Sequence, residues 1–82
     1  MVEVRFFAGA ADAAGHPSTR LEVADGTSVG EVLAAVAAGN ERLTRVLGVC
    51  TLLLDGRAHG DRATPLDGGE HTIDVLPPFA GG

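Results

Sequence analysis

The chain ends Leu76-Pro77-Pro78-Phe79-Ala80-Gly81-Gly82, and the residues best placed to do chemistry are gathered there. Two prolines fix φ and project the last four residues away from the body as a stiff spur. Those four residues reach at most roughly 14 Å when extended, enough to enter another protein's active site but too short to wrap around it. Gly81 and Gly82 carry no Cβ, so a narrow channel can close around their backbone while the terminal carboxylate stays unhindered. The pattern predicts a reactive acyl group at the tip of a thin arm, with Gly82 as its carrier.

Elsewhere the sequence offers little reactive machinery. Cys50 is the only cysteine. It sits in an apolar run with no base near it in sequence, which reads as a buried, inert thiol, and no intramolecular disulfide can form. His16, His59 and His71 lack ligand spacing and read as solvent-facing polar residues. Asp55, Asp61, Asp67 and Glu70 read as a solvated acidic surface. Gly68-Gly69 is expected to be a tight turn, because no helix with a following lysine succeeds it.

With 82 residues the chain supports one hydrophobic core, and its 45% hydrophobic content is ordinary for a globular domain. Eleven acidic against six basic residues leave a net charge of -5, which opposes nucleic acid as a ligand and favours a partner with a basic surface. All six basic residues are arginines. No stretch approaches the roughly 20 apolar residues that cross a bilayer. Glu3 stands where a secretory signal would place positive charge, so a cytoplasmic chain without a targeting segment or membrane partner is expected.

The elements that must position the tail emerge from periodicity. "VEVRFFA", residues 2 to 8, alternates Val2, Val4 and Phe6 against Glu3, Arg5 and Phe7, the period of a half-buried strand. "GAADAAGHPS" is expected to turn the chain back into a second strand, "TRLEVA", with Leu21 and Val23 inward, completing a hairpin. Ser28 and Glu31 have the spacing of a capping box, opening a helix whose stripe is Val29, Val32, Leu33 and Val36, with Gly39 stopping it. Asn40 caps a shorter helix with Leu43, Val46 and Leu47 inward and Gly48 at its end. "VCTLLLDG" reads as a buried strand closed by an Asp-Gly turn, "RAHG" as its short partner, and "EHTIDVL" as the last strand, with Ile73 and Val75 opposite in face to Thr72 and Asp74. Pro77 and Pro78 end it, since neither can donate to a ladder. The pattern alone gives an α+β domain over residues 1–78, followed by a flexible tail over residues 79–82.

The opening "VEVRFFA", the block "LDGGEHTIDVLPPFAGG" and the final Gly82 resemble the ubiquitin-like sulfur carriers, most closely the small subunits of molybdopterin synthase. Leu66, Gly68, Glu70, Pro77, Pro78, Gly81 and Gly82 fit the family's last block. Gly69 departs from it, standing where an aspartate is usual, and the strand before Pro77 is one residue longer. The resemblance implies a β-grasp fold, a mixed sheet of four to five strands with one main helix packed across it.

It also implies a non-enzymatic carrier that binds no cofactor of its own. A ubiquitin-activating-like adenylyltransferase would use ATP and Mg to adenylate Gly82. A sulfur donor enzyme would convert the adenylate to a thiocarboxylate, and a molybdopterin synthase large subunit would accept the loaded tail, Phe79, Ala80 and Gly81 included. Phe7, Leu76, Pro77 and Pro78 are expected to contact these partners, Phe7 as an exposed aromatic beside Arg5. The same resemblance leaves open a carrier for thiamine or cysteine synthesis and a modifier joined to lysines of other proteins.

Overall fold

The computed structural model describes residues 1–78. In chain order the elements are β1 (Val2–Phe6), α1 (Gly9–Ala14), β2 (Ser18–Leu21), α2 (Val29–Val36), α3 (Glu41–Leu47), β3 (Thr51–Leu54), β4 (Arg57–Ala58) and β5 (His71–Leu76). The sheet runs β2-β1-β5-β3-β4. β1 pairs parallel with β5, and every other pairing is antiparallel. This mixed five-stranded sheet with helices on one face is the expected α+β, β-grasp arrangement.

The core lies between the helices and the sheet. Val2, Val4 and Phe6 of β1, Leu52 of β3 and Ile73 and Val75 of β5 meet Val29, Val32 and Leu33 of α2 and Leu43 and Leu47 of α3, all buried. Full burial of each such side chain contributes roughly 1.5–3 kcal/mol, so the apolar stripes hold the two layers together. The capping box is present as spaced: Glu31 N donates to Ser28 Oγ at 3.1 Å and Ser28 N to Glu31 Oε1 at 3.0 Å. Asn40 caps α3 through its Oδ1, which accepts from Leu43 N at 3.0 Å.

Several expectations need correction. "GAADAAGHPS" is not a simple return, because residues 9–14 form α1, with Ala10 and Ala13 buried. Alanine is the strongest helix former, and these two packing methyl groups let α1 lie against α3. The Asn40 side chain ties the pair, donating Nδ2–H to Ala13 O at 2.9 Å. β1 stops at Phe6, since Ala8 takes a φ of 50° to enter α1. β2 is shorter than "TRLEVA", and β3 excludes Val49, which is 67% exposed. The turn from β3 to β4 is the expected Asp-Gly pair, with Asp55 at φ 50° and Gly56 at φ 84°, as a two-residue hairpin turn requires.

Candidate functional site

β5 ends in the interior of the sheet, with β1 on one side and β3 on the other. Its last pairings are Phe6 with Val75 and Thr51 with Leu76. Phe7 N then donates to Val75 O at 3.1 Å, and the ladder ends where Pro77 and Pro78 bring no N–H. Two neighbouring strands therefore fix the point from which the chain leaves. Pro77 is half-buried and Pro78 exposed.

The root of the tail carries an apolar rim. Phe7 is 41% exposed and Val49 67%, and they are the two exposed large hydrophobic residues among the described residues. Phe7 follows the β1 residue paired with Val75, and Val49 lies two residues before Thr51, the partner of Leu76. They thus flank β5 from opposite sides, beside half-buried Leu76. Of the expected contact residues, Phe7, Leu76, Pro77 and Pro78 come together here. Phe79, Ala80, Gly81 and Gly82 lie outside the described residues. Periodicity misses Val49, because it continues the apolar run of the buried strand. Its position directly after Gly48, the end of α3, is the signal that places it in a connection.

Next to the rim, the sheet face opposite the helices carries one buried charge among the described residues. Asp74 is 6% exposed and lies beside Arg5 across the parallel ladder. Arg5 closes on it with Nε–Oδ1 at 2.6 Å and Nη2–Oδ2 at 2.9 Å. These hydrogen bonds and the carboxylate's charge raise the Arg5 pKa. Asp74 lies on the expected face, and the Arg5 guanidinium covers it there.

The remaining polar residues are better organised than expected. His71 is not solvent-facing: its side chain is only 14% exposed, with Nδ1 2.7 Å from Asp55 Oδ2 and Nε2 2.9 Å from Asp67 Oδ1. Hydrogen bonds to Asp55 and Asp67 raise its pKa above the ordinary 6.5. Burial pushes the Asp55 carboxyl up, but bonds from His71 and Thr72 N outweigh it and hold it below 3.8. Asp67 is held low by the Gly69 amide and by His71. Asp55, Asp61, Asp67 and Glu70 are exposed as expected, and two of them, Asp55 and Asp67, also act as struts to His71. The Gly68-Gly69 turn is closed by Gly69 N donating to Asp67 Oδ1 at 2.8 Å. His59, half-buried, bonds Asp61 O and Thr64 Oγ1.

Cys50 is half-buried, and burial raises its pKa while the Arg62 charge opposes the rise. Arg62 itself donates to Leu47 O at 2.6 Å, capping the carboxyl end of α3. No group of metal-ligating side chains occurs among the described residues, and none of their helices is long and apolar enough to cross a membrane.

A β-grasp sheet whose interior last strand runs straight into Pro-Pro and a diglycine sequence is the arrangement of a ubiquitin-like sulfur carrier. The chain belongs to the ThiS family, whose model matches residues 4–82. Small archaeal modifier protein 1 from Haloferax volcanii is 27% identical, with a TM-score of 0.82 over 99% of this chain and 98% of that one. The corresponding protein from Methanosarcina acetivorans is 26% identical, with a TM-score of 0.77 over 99% and 95%. A chain in the complex of subunits 1 and 2 of the molybdopterin-converting factor from Helicobacter pylori is 31% identical, with a TM-score of 0.67 over 99% and 97%. No curated protein sequence matches the chain.

Proposed function

We propose that this protein is a sulfur carrier that works as the small subunit of a molybdopterin synthase, with the Gly82 carboxyl carbon as the transfer point. The single observation behind the reading is that an interior strand, held on both sides, presents Pro77 and Pro78 from a rim of exposed apolar residues, Phe7 and Val49. A firmly held root and a slender end suit a body that is gripped while its tip is inserted.

In the first step the carboxylate attacks the α-phosphate of ATP on an activating enzyme, releasing pyrophosphate and forming an acyl adenylate. Magnesium and the enzyme's own groups stabilise the charge there. A sulfur donor enzyme then supplies sulfur at the sulfide level. The carbon–sulfur bond forms as the bond to the AMP oxygen breaks, leaving a thiocarboxylate. The large subunit accepts the loaded tail, sulfur passes to a pterin precursor, and water restores the carboxylate. The chain contributes the acyl carbon and a grip, and it supplies no general base, metal or cofactor.

A second reading is favoured by the likeness to the archaeal modifiers across nearly the whole chain. In it, the activated Gly82 is joined to lysines of other proteins. A carrier for thiamine or cysteine synthesis would share the adenylation and thiocarboxylate steps and differ only in the acceptor. Intact mass after incubation with activating enzyme, ATP, Mg and a sulfur donor tests the reading. Exchange of one oxygen for sulfur at the C-terminus supports a carrier, thiol-resistant adducts support the modifier, and an unchanged mass overturns both.

A further inference from the structure

β2 forms one outer edge of the sheet, and the ladder shows which of its backbone groups are already used. Phe7 N and Met1 O bond to β5, while Phe6 N donates to Pro17 O at 2.8 Å. Odd-numbered residues of β1 therefore bond β5 and even-numbered ones bond β2. Across the register Val2 with Leu21, Glu3 with Arg20 and Val4 with Thr19, the amides and carbonyls of Thr19 and Leu21 turn toward β1. Those of Ser18 and Arg20 turn outward; β2 ends at Leu21, and Glu22, the next residue, would face outward where pairing extends the strand by the same alternation. The Ser18 carbonyl already accepts from His16 Nδ1 at 2.9 Å. Arg20 and Glu22 are left as the open positions of the edge, both with exposed side chains.

This edge is complementary to itself in one register. Two antiparallel copies related by a two-fold axis at Leu21 place Arg20 opposite the partner's Glu22, and Glu22 opposite the partner's Arg20. With β2 extended through Glu22 on pairing, both become outward-facing positions, so each pair can exchange two backbone hydrogen bonds. Leu21 then meets the partner's Leu21 at the closer, non-hydrogen-bonded position, and Thr19 faces the partner's Val23. Leu21 and Val23 are half-buried against the core from one side, leaving apolar surface at the edge. Sliding the register by two residues sets Arg20 against Arg20 or Glu22 against Glu22, and sliding it by one misaligns the outward groups.

We propose that the β2 edge is a self-association surface, through which two copies of this chain pair antiparallel about Leu21 and join their sheets into one. The occupant is a second copy because charge, apolar contact and hydrogen-bonding direction all match in that register, which no isolated edge needs. The tail root is unaffected: β1 separates β5 from β2, so both copies keep their rims open. The net charge of -5 on each chain opposes the contact, so the dimer is weak and forms with rising concentration.

Sedimentation equilibrium on the full chain, over a series reaching the millimolar range, tests the proposal. The expected weight-average mass rises from 8.3 kDa toward twice that value. Arg20→Glu alone and Glu22→Arg alone each set like charges opposite one another and weaken association roughly tenfold or more. An equimolar mixture of the two restores opposite pairing and recovers the association. Circular dichroism checks that both variants are folded, and slowed exchange of the Arg20 and Glu22 amides at high concentration locates the contact. A wild-type chain that stays at 8.3 kDa throughout overturns the proposal, as do single variants that associate like wild type or a mixture that fails to recover.

Discussion

Arg5 and Asp74 lie side by side on β1 and β5, and two hydrogen bonds of 2.6 and 2.9 Å turn an otherwise buried carboxylate into half of a bidentate pair on the open face of the sheet. The pair spans the parallel junction that places the tail root. Removing the cation alone uncovers Asp74 but strips its carboxylate of both Arg5 hydrogen bonds beside the parallel ladder, which costs more than removing both partners. Arg5→Ala is expected to lower the Tm, and Arg5→Met with Asp74→Leu to recover most of the loss. A double-mutant cycle by thermal denaturation checks this.

The rim at the root behaves differently, because it is exposed in the free protein. Phe7→Ala and Val49→Asp should each change folding stability by no more than about 0.5 kcal/mol. If these residues are gripped by the activating enzyme, each substitution weakens its binding roughly tenfold, the effect of losing an apolar anchor. Calorimetric titration of the variants against that enzyme, beside urea melts of the same samples, separates the two effects.

His71 gives the protein a stability profile with two flanks. Its pKa is raised on folding, so its contribution is fully present below its unfolded value of 6.5 and is lost as pH rises through the higher folded value. Asp55 and Asp67 are lowered on folding, so theirs is present above 3.8 and is lost as pH falls through the lower folded values. The Tm is expected to peak on the acidic side of neutrality, between 3.8 and 6.5. His71→Gln should flatten the alkaline flank. Melting curves across pH, with an NMR titration of the His71 ring, measure both flanks.

The helix layer yields the firmest numbers. Ser28→Ala removes an N-cap acceptor and should cost about 1 kcal/mol. Leu43→Ala empties a site only 2% exposed and should cost roughly 2–5 kcal/mol. Urea denaturation with unchanged m-values checks both.

What could be seen in the sequence was local. Ser28 and Glu31 satisfy each other's amides within four residues, and the α2 stripe recurs at helical spacing, so both could be recognised without knowing the fold. The alternation of β1 and the Asp55-Gly56 turn have the same self-contained character. α1 escaped because no side chain caps it at Ala8 and its six residues bury only two methyl groups outright, so flanking glycines and Pro17 dominated the pattern. The His71 struts escaped for the opposite reason. Asp55 and Asp67 reach the ring from two separate turns, and nothing in their spacing from residue 71 announces the meeting.

The absence of lysine offers a way to tell a carrier from a modifier with this protein as the only acceptor. All six basic residues are arginines, whose guanidinium stays protonated and is a poor nucleophile toward an activated acyl group. The Cys50 thiol, pushed up by burial, is a weak competitor. Wild-type chains should therefore form no thiol-resistant self-adduct through a side chain under either reading. Arg57→Lys puts one amine on exposed β4 with little expected effect on the fold. Incubated with activating enzyme and ATP, this variant should stay monomeric by intact mass if Gly82 only passes sulfur onward. If Gly82 is conjugated to amines, a covalent dimer should appear that survives thiol and is absent from wild type.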